Sequence, residues 1–266
     1  MVERHLLCEM TSEEAGKALK EADFVVLPTG SVEQHSKHLP LGTDSIRVIH
    51  YLSYLAEHPE GLKFVVLPTL YYGLSEHHIH FPGTITLKLE TYMKVIYDIA
   101  WSLKQHGAKR LLIINGHGGN GSALGLARLK IERELGLETY LLSQPTSFSG
   151  DLLKEFAGDE MYGHSGLWET SEMLHFRTDL VRTDKIKKQG MARPGVRGSG
   201  SVRDEERKTV RAITRQAPYF EQNWIDGGIG DPGIATAEFG RKLKEESTKR
   251  TVKALKEDMK WYTEPN

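Results

Sequence analysis

Between Leu27 and Ser45 the chain reads LPTGSVEQHSKHLPLGTDS, which places Glu33, His35 and Asp44 just after the apolar run Phe24-Val25-Val26-Leu27. Apolar burial gives no reason for two acids and an imidazole there, whereas a metal site does. Glu33 and His35 are two residues apart, so in an extended segment both side chains aim at one face. Asp44 comes nine residues later, at a predicted helix start. Carboxylates with imidazole and no thiolate suit zinc, manganese or iron in the divalent state, and an acid placed between two ions can bridge them. Taken singly, these residues also admit a plainer reading, with Asp44 as a helix N-cap and His35 as a surface residue.

Three further stretches could carry chemistry. Gly116-His117-Gly118-Gly119-Asn120-Gly121 matches the G-x-G-x-x-G phosphate fingerprint and lies between a predicted strand and a predicted helix. A dinucleotide site would also need an acid closing the next strand, but Leu141-Leu142-Ser143-Gln144 closes it and Glu138 precedes it. The preferred reading is that the glycines give His117 room to reach a metal, and a nucleotide-binding oxidoreductase is the competitor. Tyr162-Gly163-His164-Ser165-Gly166-Leu167-Trp168-Glu169 sets His164 on a loop and Glu169 in the first turn of a helix, where the helix dipole alone favours an acid. The loop Gly73 to His80 is rich in histidine, and one of its imidazoles is expected to border a substrate while the others are solvated. Candidate substrate contacts are Ser75, His77, Gly118 and Tyr162.

These groups need a scaffold. Thr11 and Glu14 have the form of a capping box opening a helix over Ser12 to Glu21, ahead of a strand at Phe24 to Leu27. The six residues FVVLPT at Phe24 to Thr29 recur at Phe64 to Thr69. The residues after the two copies differ, so both are read as interior parallel strands ending at Pro-containing loops rather than as a duplicated module. Asp44 to His58 reads as a crossover helix with Ile46, Ile49, Leu52 and Leu55 inward. Met93, Ile96, Tyr97, Ala100 and Leu103 keep helical spacing up to a C-terminal cap at Gly107. Strands are expected at Arg110 to Asn115 and Thr139 to Leu142, with a helix from Ser122 to Leu135 between them. Alternating strands and helices predict an α/β fold with a mainly parallel sheet covered on both faces, whose ligands bind beyond the carboxyl ends of the strands. Gln189 to Arg207 reads as a long surface loop or an arm contacting another subunit. A last helix is expected from Thr236 to about Tyr262, with Phe239, Leu243, Leu255 and Met259 inward.

Composition narrows the function. The chain has 266 residues, 39% of them hydrophobic, which suits one large domain. With 35 basic and 36 acidic residues the formal charge is −1, so no global field attracts nucleic acid or an anionic membrane. Cys8 is the only cysteine, so any metal must be held by His, Asp and Glu. No apolar stretch approaches the roughly 18 residues of a membrane span, and a cytoplasmic location is the expectation.

Together the motifs resemble the creatininase (creatinine amidohydrolase) family of metal-dependent hydrolases. The resemblance is carried, in the family's order, by Glu33-x-His35, Asp44 after Pro40-Leu41-Gly42-Thr43, Phe81-Pro82-Gly83-Thr84, Asn115-Gly116-His117, His164 to Ser171, and Gly230-Asp231-Pro232. It implies a single domain over residues 1–266, a three-layer α/β/α sandwich, and assembly into homo-oligomers, usually hexamers. It implies two divalent ions per subunit, zinc first and manganese or iron as alternatives. Glu33, Asp44 and His117 would hold one ion, and His35 and Asp44 the other, with Asp44 bridging. His164 matches the family's proton-transfer histidine. Creatininase itself carries an aromatic residue and then a glutamate ligand after the histidine, where this chain has Gly118 and Gly119. Glu169 is the candidate for the missing carboxylate, and a branch other than creatininase proper is expected. Such a site would attack the carbonyl of a small cyclic or formamide-like substrate and break a C–N bond. A ring-opening C–C hydrolase acting on a keto-cyclitol would use the same parts. A subunit whose ions serve only folding is the non-enzymatic alternative.

Overall fold

The computed structural model describes residues 6–143, 145–158, 163–188 and 226–263. Tyr162 and the segment Gln189 to Arg207 therefore lie outside the described residues. The chain opens on α1 (Ser12–Glu21), where the expected capping box forms: the Thr11 N–H donates to Glu14 Oε2 at 2.7 Å and the Glu14 N–H to Thr11 Oγ1 at 3.3 Å. Strand β1 (Phe24–Thr29) comes next, then α2 (Thr43–Glu57), β2 (Phe64–Val66), α3 (Leu89–Gln105), β3 (Arg110–Asn115), α4 (Gly121–Leu135) and β4 (Glu138–Ser143). Two shorter helices, α5 (Gly150–Ala157) and α6 (Leu167–Phe176), precede the long terminal α7 (Ala237–Thr263).

The described strands form one parallel sheet in the order β2-β1-β3-β4. Side chains alternate across it, as strand geometry requires. Val25, Leu27, Leu111 and Ile113 pack on one face against Leu19 of α1, Ile96 and Leu103 of α3, and Leu124 and Ile131 of α4. Phe24, Val26, Leu112 and Ile114 pack on the other face against Val48, Tyr51 and Leu55 of α2 and Val252 and Leu255 of α7. The fold is thus the expected three-layer α/β/α arrangement. Tyr51 ties the α2 and α7 layer together by donating its hydroxyl to Thr251 Oγ1 at 2.6 Å.

The structure corrects several details. The second FVVLPT copy is a strand only over Phe64–Val66, and it lies at the edge of the described sheet, not in its interior. Pro28 does not end the first strand but stays within it, its carbonyl accepting from the Leu70 N–H at 2.9 Å. The inward face of α2 is rotated from the expected one: Asp44, Val48, Tyr51, Leu52 and Leu55 are buried, whereas Ile46 and Ile49 are only half-buried. The reason is polar, since α2 must turn Asp44 and Arg47 inward as well as its aliphatic residues. Of the inner positions expected on α7, Phe239, Leu243 and Leu255 are buried and Met259 is partly buried.

Candidate functional site

The carboxyl ends of β1 and β3 bring the distant motifs together. Asn115 stands beside Thr29 in the sheet register, and its side chain locks the turn after β3: Oδ1 accepts from Thr29 Oγ1 (3.2 Å), the His117 N–H (3.1 Å) and Asn120 Nδ2 (3.2 Å), while Nδ2 donates to the His117 carbonyl (2.7 Å). Helix α2 starts directly against this turn. A Cβ on Gly116 would lie 2.5 Å from Val48 Cγ2 and 2.6 Å from the Asp44 carbonyl, so only glycine lets α2 pack there. Asp44 lies in the first turn of α2 and is not its N-cap, which is Gly42; its Oδ2 accepts from Ser31 Oγ at 2.6 Å.

Five expected ligands then converge below the surface. Glu33 and His35 are fully buried, and Asp44, His117 and Glu169 nearly so. Asp44 presents Oδ1 to His35 Nε2 (3.3 Å) and Oδ2 to His117 Nδ1 (3.1 Å). Glu33 Oε1 lies 3.3 Å from His117 Nδ1 and 3.5 Å from His164 Nδ1. Glu169 Oε2 lies 3.7 Å from His35 Nε2 and accepts from the Ser165 N–H at 2.6 Å.

The three imidazoles share one arrangement. His35 Nδ1 is 3.2 Å from the Glu33 carbonyl, His117 Nε2 is 3.0 Å from the Leu74 carbonyl, and His164 Nε2 is 2.7 Å from the Gln34 carbonyl. A carbonyl can only accept, so each of these nitrogens carries a hydrogen and the opposite nitrogen turns to the acids. This is the outer support that a metal-ligating histidine ordinarily has. Both Glu33 carboxylate oxygens and His35 Nε2 are buried without a hydrogen-bond partner. Ligand atoms of Glu33, His35 and Asp44 lie within 4.8 Å of one another, as do those of His35, His164 and Glu169. Buried orphaned acceptors beside carbonyl-oriented imidazoles fit a divalent cation well.

Electrostatics agrees. Burial works against a charged His35, yet Asp44, Glu169 and Glu33 raise its pKa to about 9. Burial likewise opposes the His117 cation, and Glu33 and Asp44 overcome it and raise its pKa well above 6.5. Asp44 is held well below the usual carboxylate range by His35 and His117 in spite of its burial. The acids thus demand positive charge at these nitrogens. His164 differs: burial and the neighbouring His35 lower its pKa.

Of the expected substrate contacts, Ser75 is buried 3.5 Å from His117 Nε2, the His77 ring stacks on His117 at 5.6 Å, and Gly118 is exposed beside them. The expectation that the other loop histidines are solvated holds for His80 but not for His78, which is 1% exposed. Its Nδ1 lies 2.9 Å from Gln34 Nε2, its ring stacks on His164 at 4.6 Å, and burial lowers its pKa to about 2.

Several site residues escape a reading of sequence alone. Gln34 Nε2 reaches His78 and donates to the Gly227 carbonyl at 2.8 Å, which joins three loops. His38 is buried against Thr170 Oγ1 at 2.9 Å. Arg47, Glu172 and Lys244 form a buried charge cluster behind Glu169. The signal for Arg47 was its place one turn after Asp44 on the buried stripe of α2; for Glu172, its place one turn after Glu169.

Known proteins similar to this chain include hydrolases of one family. A mycofactocin precursor peptide peptidase from Mycobacterium ulcerans is 32% identical over 228 residues, 82% of this chain and 79% of its own. Creatinine amidohydrolase from Pseudomonas putida is 31% identical over 196 residues, 67% of this chain and 74% of its own. A 3-dehydro-scyllo-inosose hydrolase from Thermotoga maritima is 30% identical over 112 residues, 41% of this chain and 34% of its own. Among solved structures, a mutant creatininase of Zn-Zn type shares the fold with a TM-score of 0.77 at 24% identity, covering 95% of this chain and 97% of that one. The family model described as creatinine amidohydrolase matches residues 8–255, and with that extent of match the chain belongs to the creatininase family of hydrolases.

Proposed function

We propose that this hydrolase uses two divalent ions per subunit to cleave a C–N bond of a small amide, formamide or peptide substrate. Glu33, Asp44 and His117 would hold one ion, and His35, Asp44 and Glu169 the other. The observation that carries this reading is Asp44, whose two oxygens face imidazoles on opposite sides, each turned toward it by a main-chain carbonyl. When bound, the ions supply Lewis acidity and lower the pKa of a water to about 7. Zinc is supported by the Zn-Zn type of the solved relative, and the oxygen and nitrogen donor set also suits manganese or iron.

The chain's own groups supply the rest. His164 keeps a hydrogen on Nε2 for the Gln34 carbonyl, so Nδ1 is the atom that takes the proton of the attacking water. The same atom then returns it to the leaving nitrogen. Ser75 and His77 lie beside His117 and Gly118 follows it, and these three, with Tyr162, would be the substrate contacts. Gly119 cannot hold the carboxylate that creatininase has after its histidine: a Cβ there would lie 2.4 Å from both His117 Nε2 and the Leu74 carbonyl. Glu169 takes that place from α6, which argues against creatinine as substrate.

The long match to a peptide peptidase favours a C–N over a C–C bond, since the keto-cyclitol hydrolase matches over less than half of the chain. A nucleotide-binding oxidoreductase draws no support from Gly116 and Gly119, whose glycines are explained by α2 packing and by room for His117. We further read the protein as a single domain over residues 1–266, as a cytoplasmic homo-oligomer of hexamer type, and as a partner of neither nucleic acid nor membrane. Among the described residues no helix is long and apolar enough to cross a membrane.

The experiment is a hydrolysis screen of the metal-reconstituted protein against creatinine, formamidopyrimidine nucleotides, short peptides and keto-cyclitols, with metal content measured in parallel. Turnover of an amide or peptide with two ions per subunit is expected. Turnover confined to keto-cyclitols, or full activity after chelation, would overturn the proposal.

A further inference from the structure

Arg47 stands one turn beyond Asp44 on α2 and is 3% exposed. Its Nη1 donates to Glu169 Oε1 at 2.8 Å and lies 3.7 Å from Asp44 Oδ1, while its Nε donates to Glu172 Oε2. One guanidinium therefore joins α2, which carries Asp44, to α6, which carries Glu169 and Glu172. The fork is itself held in place. Lys244 of α7 donates to the Arg47 carbonyl at 3.1 Å and lies 3.4 Å from Glu172 Oε1, and the guanidinium sits 5.9 Å from the centre of the Trp168 ring.

This arrangement decides which oxygen of Glu169 is available. Oε1 is taken by Arg47, so Oε2, steadied by the Ser165 N–H, is the atom facing His35. A flexible glutamate is thus presented in one orientation, at a fixed distance from the aspartate it must work with. Lysine could not do this, because its single point charge lacks a planar fork that reaches two carboxylates and a third acid at once. The guanidinium's positive charge would oppose an ion at His35, but Glu172, fully buried against it, offsets that charge.

We propose that Arg47 is a positioning residue for the second ion: it couples Glu169 to Asp44 so that the His35–Asp44–Glu169 half is preorganised, while touching neither ion nor substrate. This inference rests on the two-ion reading above. It predicts an asymmetry, since Arg47 makes no contact with Glu33 or His117.

The test titrates the metal-free full-length chain with Zn²⁺ against a competing chelator, and with Co²⁺ to follow the visible spectrum of each equivalent. Three proteins are compared: wild type, Arg47→Lys, and the double variant Arg47→Met/Glu172→Gln, which removes the charge of Glu172 together with the guanidinium that faces it. The expected result is a first-ion Kd within about twofold of wild type and a second-ion Kd weakened by about 10–100-fold, the range for loss of an outer-sphere partner. The Co²⁺ spectrum of the second equivalent should change and that of the first should not. In a Glu169→Gln background, adding Arg47→Lys should weaken the second ion no further. Equal weakening of both ions, or an unchanged or tighter second ion, overturns the inference. Arg47→Lys keeps the buried charge, so it decides the matter if the double variant does not fold. Fewer than two ions in wild type would instead defeat the two-ion reading itself.

Discussion

On the Glu33–His117 side of Asp44, the groups that face the acids are imidazoles: His117 and His164 at 3.3 and 3.5 Å from Glu33 Oε1, and His78 at 3.7 Å. On the His35–Glu169 side an arginine lies against both Asp44 and Glu169, with a lysine behind it. The first half hangs on turns at the ends of β1 and β3, and the second on the packing of α2 against α6 and α7. Imidazoles can give up their protons to a metal ion, but a guanidinium cannot. The first half is thus tuned by groups whose charge adapts, and the second by a permanent charge that fixes geometry.

Changes that cross or separate the halves test this contrast. Asp44→Ala removes the only residue common to both and should abolish binding of both ions together with turnover; elemental analysis showing full metal content would sink its bridging role. His164→Ala should keep both ions and lower kcat by about 10²–10⁴-fold, since it moves a proton without holding a metal; the paired readout is metal content and single-turnover rate. Gly119→Ala should strike the first half alone. Its new methyl group displaces His117, weakens one ion, and costs about 1–3 kcal/mol of stability as an overpacked site, measurable by urea denaturation of the metal-free protein.

The smallest effect is expected behind the second half. Burial, only partly offset by Glu172, lowers the Lys244 pKa from 10.5 to about 8. A lysine whose folded pKa lies below its unfolded value costs stability below pH 8, where it must be charged in both states. That cost is relieved as pH rises from about 8 to 10.5, because the unfolded chain then holds more protons than the folded one. Thermal unfolding of wild type should therefore gain ground on Lys244→Met across that window, and parallel curves would refute the depressed lysine.

The parts of this site visible in the sequence are those that depend on local spacing. Glu33, His35, Asp44, His117 and Glu169 each come after a strand end or open a helix, and the strand–helix alternation already sends those ends to one edge of the sheet. Arg47, Glu172 and Lys244 were not legible in that way, because their partners lie 125 and 197 residues apart and are chosen by how α6 and α7 dock on α2. The two FVVLPT copies make the same point. Phe24–Thr29 has strands on both sides and stays extended through Pro28, whereas Phe64–Val66 pairs with β1 on one side and, among the described residues, bridges to Leu6 alone on the other. Identical residues end at different places because pairing partners, not propensity, set the length of a strand.

The carbonyls of Glu33, Gln34 and Leu74 that orient the imidazoles are main-chain atoms. Every amino acid offers the same carbonyl, so no single substitution can delete one of these acceptors. Exposed side chains of the loop from Tyr71 to His80, such as Tyr71 and Tyr72, can therefore be exchanged while the inner imidazoles keep their aim. A scaffold of this kind lets one hydrolytic centre be passed between different substrates during divergence, with selectivity rewritten at the rim and the chemistry inherited intact.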